Sequence, residues 1–262
     1  MGPLGELPEH LEELQNDLMH PAIVFGNEQF GITNYILYMF LIMAILLIAI
    51  LVVGRKLKFI PKNKFLNMVE YGYEFVRNDI GKGSVGHGYK KHIPFLATLF
   101  FFILIANFVG LIPGAKAATG TISVTWALAI ISFVYFNYWG VKAKGGWGYI
   151  KSIAPAGLPI IMVPIIWFFE TLSLCLRALT LAFRLYGNMF AGHMVLGIFA
   201  ILTSVFTTYA IQNAEYLIAL PSIAWLLFLI LMYCLECLVA FLQAYVFTTL
   251  SAVYISLATS EH

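Results

Sequence analysis

Charge is what this sequence has least of. Only 11% of its 262 residues are Asp, Glu, Lys or Arg, against roughly 25% in an ordinary soluble domain, which excludes a solvated globular fold. The net charge is +2, and the basic residues sit at the edges of apolar segments, so no patch recommends a nucleic-acid partner. Residues 1–29 hold Glu6, Glu9, Glu12, Glu13, Asp17 and Glu28 without one lysine or arginine. The basic start of a secretory signal peptide is therefore missing, and the stretch reads as an acidic tail or surface helix in solvent. Cysteine is scarce too: Cys175, Cys234 and Cys237 all lie in apolar stretches. They cannot form a disulfide framework, and the CxxC spacing of Cys234 and Cys237 lacks a second ligand pair. Packing is the expected role of all three. No cofactor, metal or catalytic residue follows from these patterns.

What fills the chain is apolar. Hydrophobic residues make up 61% and the mean hydropathy is +0.88, the balance of an all-α integral membrane protein. Residues 35–53 run without a charge, long enough to cross a bilayer as a first transmembrane helix. Arg55, Lys56, Lys58, Lys62 and Lys64 follow it, and positive-inside bias puts that end in the cytoplasm and the N-terminus outside. Residues 63–80 mix Phe65, Met68, Tyr73 and Val76 with Glu70, Glu74, Arg77 and Asp79, the pattern of an amphipathic helix on the cytoplasmic side. Gly81 to Gly86 matches GxGxxG by letter, but no strand precedes it, and a flexible loop is expected.

Residues 95–139 form a transmembrane hairpin, turned at Pro113 and Gly114 and flanked by Lys90, Lys91, Lys142, Lys144 and Lys151. Asn107 inside it reads as a helix–helix hydrogen bond. Two longer apolar stretches follow, 155–209 and 217–257; as channel-forming helices in an antiparallel hairpin they complete five crossings and leave the C-terminus in the cytoplasm. The plan is thus a tail over 1–29 and a single membrane domain over 30–262.

The chemistry concentrates where charge is scarcest. Between Ser152 and Ser260 the only acidic or basic side chains are Glu170, Arg177, Arg184, Glu215 and Glu236. An arginine at a bilayer centre costs about 2.5–3.5 kcal/mol on insertion scales and cannot deprotonate to escape. Glu170, Arg177 and Arg184 are spaced by seven, so they share one helical stripe, which Asn188 extends. That stripe should face protein, water or an ion path. On the facing helix, Glu236 and Gln243 are also seven apart. Setting Gln243 opposite Arg184 brings Glu236 to His193, a carboxylate–imidazole pair suited to relaying protons. His193 itself falls on the side opposite Arg184 on a straight helix. Gly187, Gly192 and Gly197 are expected to serve close packing. Glu215 reads as a solvated loop charge or a residue at a channel mouth.

The stretch from Leu181 to Gly192, LAFRLYGNMFAG, resembles the most specific signature of subunit a of the F-type ATP synthases, the stator protein beside the rotating c-ring. Leu242 to Phe247 with Leu250 to Tyr254 is similar as well, and Ile103 to Gly114 more weakly. The resemblance implies that Arg184 is the essential stator arginine, Gln243 its neighbour, Asn188 a polar residue of the ring-facing channel and Glu170 the acid of the cytoplasmic half-channel. His193 and Glu236 stand where the enterobacterial form has Glu and His, an exchange that a contacting pair tolerates. Arg177, Thr180 and Glu215 take auxiliary places. Implied partners are c-ring subunits, peripheral-stalk b subunits, the rest of the ATP synthase and membrane lipid; the lack of a transit peptide favours a bacterial plasma membrane. A cation-coupled secondary transporter is the alternative, although no second RLYGN stretch marks the paired repeats common in that class. A membrane anchor would leave the intramembrane titratable groups without a role.

Overall fold

The computed structural model describes residues 8–9, 11–14, 23–25, 32–56, 64–86, 88–112, 114–115, 117–152, 162–213 and 220–260. Two short antiparallel strands, β1 (Ile23–Phe25) and β2 (Ile32–Thr33), precede the long helices. No period-2 alternation in residues 23–33 leads one to expect them. Then come α1 (Asn34–Lys56), α2 (Lys64–Phe75) with a π-helical continuation over Val76–Val85, α3 (Ile93–Gly110), α4 (Ile122–Lys144), the short α5 (Gly146–Ser152), and the long α6 (Val163–Asn213) and α7 (Leu220–Thr259). Five of these, α1, α3, α4, α6 and α7, are long and apolar enough to cross a membrane. Helix suits such long apolar runs, because it pairs the backbone N–H and C=O groups within one segment where lipid offers no partner.

The Gly81–Val85 stretch corrects the loop expectation. It is helical, with Gly81 and Val85 buried, and a Cβ on Gly81 would meet Val76 O at 3.3 Å and Ile93 Cγ1 at 3.6 Å. Small size there lets the widened π turn lie against the start of α3. The acidic tail is not wholly solvated either. Residues 11–14 are helical, and the Leu14 side chain lies so near Gly197 of α6 that a Cβ would come within 2.6 Å of it.

One apolar core joins the π segment, α3, α4, α6 and α7 through Val76, Ile80, Phe100, Phe136, Leu185 and Phe247. Phe75 anchors the amphipathic helix to this core, its ring 5.6 Å from Tyr245 and 6.0 Å from Phe100. Polar pins supplement it: Ser132 of α4 donates to Ser251 of α7 at 2.8 Å, both buried. The outward faces carry Leu47, Ile48, Leu227 and Leu238, each more than half exposed, as lipid contact permits. All three cysteines are exposed on these surfaces, which corrects the packing expectation: apolar surroundings in lipid do not require burial within the chain.

The end of α4 nearest α3's start is held by aromatic rings. His92 Nδ1 and the Tyr135 hydroxyl are 3.2 Å apart, the Phe95 ring stacks on Tyr135 at 3.8 Å, and Lys142 Nζ sits 4.8 Å from the Trp139 ring centroid. Burial, aided by the Lys91 charge, pulls the His92 pKa below its ordinary value of 6.5. The folded state then binds this proton less readily than the unfolded chain, so stability rises with pH. The contribution of a neutral His92 is complete above pH 6.5 and is lost as pH falls through the lower folded value. Melting temperatures of the solubilised complex at about pH 8 and about pH 5 should differ less for His92→Gln than for wild type. An unchanged difference would exclude His92 from the acid response.

Candidate functional site

The two long helices supply the site. Along α6, Leu181, Ala182, Leu185, Met189, Gly192 and Leu196 are buried, while Thr180, Phe183, Arg184, Gly187 and Ala191 are exposed. This is the 3.6-residue period of a helix with one face packed and one left open. Arg184 stands on the open face. Among the described residues no side chain covers Gly187, where a Cβ would meet nothing within 4 Å, so the expected close packing is not made there by the described residues.

Contacts between α6 and α7 run in opposite directions along the chain. The Phe199 ring stacks on Phe228 at 5.9 Å, and the Glu236 carboxyl rests on Gly192. The helices are therefore antiparallel. Seven residues on along α7 and seven back along α6, the same antiparallel register brings Gln243 level with Leu185, next in sequence to Arg184. Glu236 is 6% exposed, and a Cβ on Gly192 would meet its carboxyl carbon at 2.5 Å. Gly192 thus provides a seat that no larger residue could, next in sequence to His193. His193 is half-buried. Sequence reasoning assigned this glycine only to packing; the missing signal was the carboxylate opposite.

Near Arg184, two amide nitrogens are left over. Asn188 Nδ2 and Gln243 Nε2 are buried without a hydrogen-bond partner among the described residues. A buried donor in that state costs about 1–3 kcal/mol, so these groups call for acceptors beyond the described residues.

The stripe continues toward the start of α6. Arg177 Nη2 approaches Glu170 Oε1 at 3.4 Å, a single contact between side chains 27% and 44% exposed. Geometry of that kind is worth little as a structural ion pair. The Arg177 guanidinium also lies 5.6 Å from the Tyr254 ring centroid on α7. Thr180 spends its hydroxyl on the Arg177 carbonyl, 3.0 Å away. Nearby, Tyr149 of α5 lies over Gly140 and donates its hydroxyl to Asn137 Oδ1 at 2.8 Å. Burial raises the Tyr149 pKa, with the Arg177 charge opposing it. Glu215 lies outside the described residues, as do Pro155 and Pro159. The structure thus brings together Glu236 with the His193 turn, and Glu170 with Arg177, and sets Arg184 between these pairs along α6.

The family model described as ATP synthase A chain matches residues 36–256, most of the chain. The chain belongs to the ATP synthase A chain family. The ATP synthase subunit a of Chloroherpeton thalassium is 39% identical over 248 residues, covering 92% of this chain and 70% of the relative. That of Chlorobium phaeobacteroides (strain DSM 266) is 36% identical over 286 residues, covering 99% and 80%. A Nocardioides subunit a is 37% identical over 261 residues, covering 94% and 92%. As a member of the family, the chain is a non-catalytic, proton-translocating stator subunit of the Fo membrane sector. It is a multi-pass membrane component of an F-type ATP synthase.

Gly192→Ala should place a methyl group inside the volume of the Glu236 carboxyl. With the complex assembled, ATP-driven proton pumping should fall about tenfold or more, since displacements of about 1 Å suffice for such losses. Adding Glu236→Asp, which shortens the acid, should restore part of the rate; no recovery would mean that the seat is not what Gly192 supplies.

Proposed function

We propose that Arg184 is the stator arginine, set between two proton half-channels that open on opposite sides of the membrane. The observation that carries this is Arg184 on an exposed face of α6, with the buried Asn188 and Gln243 amide nitrogens unpartnered among the described residues. An intramembrane arginine left uncovered in lipid is costly, so the open face belongs against protein or water. The covering partner is a ring of c subunits that carries carboxylates past this face, while peripheral-stalk b subunits hold the chain against rotation.

Protons enter from outside past Glu236 and His193. They neutralise a ring carboxylate near Asn188 and Gln243, and leave on the cytoplasmic side past Glu170 after nearly a full turn of the ring. Arg184 attracts the deprotonated ring carboxylate and repels a free proton, so current between the half-channels must pass through rotation. The seat of Glu236 on Gly192, one residue from His193, supports the entrance. The Arg177 guanidinium beside Glu170 supports an auxiliary role for Arg177 at the exit, and Thr180 and Glu215 complete the auxiliary set. Each proton crossing about 100 mV carries about 2.3 kcal/mol, so several are spent per ATP made on other subunits.

The basic residues flanking α1 and the α3–α4 hairpin orient the N-terminus outward and the C-terminus into the cytoplasm of a bacterial plasma membrane. In this arrangement 1–29 forms the outer tail and 30–262 the membrane domain, with membrane lipid against the apolar faces.

Inverted vesicles with the assembled complex test the central residue. Arg184→Ala should abolish ATP-driven acidification and add a passive proton leak. Pumping at the wild-type rate would remove Arg184 from the mechanism.

A further inference from the structure

We propose that Asn107 is a positioning residue for the Glu236–Gln243 face of α7, acting through the Ala240 carbonyl with Thr119 fixing its orientation. The proposal rests on the proton-path reading of Glu236 and Gln243 and adds two residues to which that reading gives no part.

Three groups make the device. Asn107, on α3, is fully buried; its Nδ2 donates to Ala240 O of α7 at 3.2 Å. Its Oδ1 accepts from Thr119 Oγ1 at 2.8 Å, and Thr119 is also fully buried. The arrangement has only one polarity. A backbone carbonyl has no proton, so the nitrogen end of the amide must point to Ala240. The oxygen end then faces Thr119, whose single hydroxyl proton must be the donor. Flipping the amide would set its oxygen against a carbonyl oxygen.

The placement gives the device its use. Ala240 lies one helical turn after Glu236 and just before Gln243, and all three are buried on the same face of α7. Its carbonyl already accepts within the helix, and the side-chain amide uses the remaining lone pair. Sliding α7 by one residue would shift that carbonyl by about 1.5 Å and turn it by about 100°, breaking the bond. Apolar contacts along α3 and α7 tolerate small slips; this bond does not, and lipid offers no water to replace it.

Thr119 reaches its place because the chain folds back tightly after α3. A Cβ on Gly110 would come within 2.9 Å of the Ala117 Cα, and Ala118–Gly120 then forms a single 3-10 turn. The amide itself does not titrate and both its ends are engaged, so Asn107 acts through α7 and not as a proton carrier.

The test uses the assembled complex in inverted vesicles and measures ATP-driven acidification across a range of pH, together with assembly. Asn107→Leu and Thr119→Val should assemble, pump about tenfold more slowly or worse, and show a displaced pH profile, because Glu236 and Gln243 are moved and not removed. Thr119→Ser, which keeps the hydroxyl, should return the wild-type profile and most of the rate. Wild-type rate and profile in assembled Asn107→Leu would overturn the proposal. So would equal impairment of Thr119→Ser and Thr119→Val, which would assign the effect to volume. Loss of assembly in Thr119→Val but not Thr119→Ser would make the pair a fold requirement and overturn the positioning role. Arg184→Ala measured in parallel separates the two levels: if it still pumps, the underlying path is wrong, and if only Asn107→Leu pumps normally, the positioning role alone fails.

Discussion

A carboxyl group resting on a glycine fixes how the two longest helices of this protein face one another. Glu236 occupies the space where any other residue at 192 would carry a Cβ, so α6 and α7 approach where the acid is. Its polar neighbours line up from that contact: His193 is next in sequence, Gln243 two turns along α7 comes level with Leu185, and Arg184 beside it is turned toward the open face. In lipid, burial of apolar surface does not favour one helix pairing over another, because the tails are as apolar as leucine. Close approach and hydrogen bonds must choose instead. The Glu236 seat, the Ser132–Ser251 bond and the Asn107 bridge are three such choices, all made on α7.

Much of the architecture could be read from the chain because membrane segments announce themselves by length and missing charge. The first crossing, the hairpin and the two long helices are each bounded by lysines, arginines or turn residues that lipid excludes. Antiparallel pairing of the last two helices followed from their being consecutive crossings, and the seven-residue step from Glu236 to Gln243 then set Glu236 near His193. Other features depend on tertiary contacts that no local pattern encodes. The glycines of Gly81–Gly86 signal flexibility in isolation, yet Gly81 is small because α3 passes beside it. The cysteines illustrate the opposite error: thiols in apolar sequence suggest a packed interior, whereas a membrane helix has an apolar exterior as well.

Site residues were legible in type and less so in setting. Arginines and acids stand out where 11% charge is the mean for the whole chain and only Glu170, Arg177, Arg184, Glu215 and Glu236 are charged between Ser152 and Ser260. Neutral groups do not stand out. Gly192 and Thr119 are ordinary residues for a membrane helix and a turn, and only the group each one touches gives it meaning. Asn107 was visible as a polar residue in a span, but its partner lies more than a hundred positions away, beyond any spacing argument.

The length of α6 has a consequence for where its polar groups lie. As one helix over Val163–Asn213, it would be about 75 Å long at the standard rise, against an apolar film about 30 Å thick. It must lean or bend to remain covered, and an interval along such an axis becomes chiefly lateral displacement with only a modest change of depth. Glu170 and His193 are about 34 Å apart along that axis, more than the film could accommodate by depth alone. Their sideways separation is thus built into the secondary structure, and no long loop is needed to set two openings apart in the plane of the membrane.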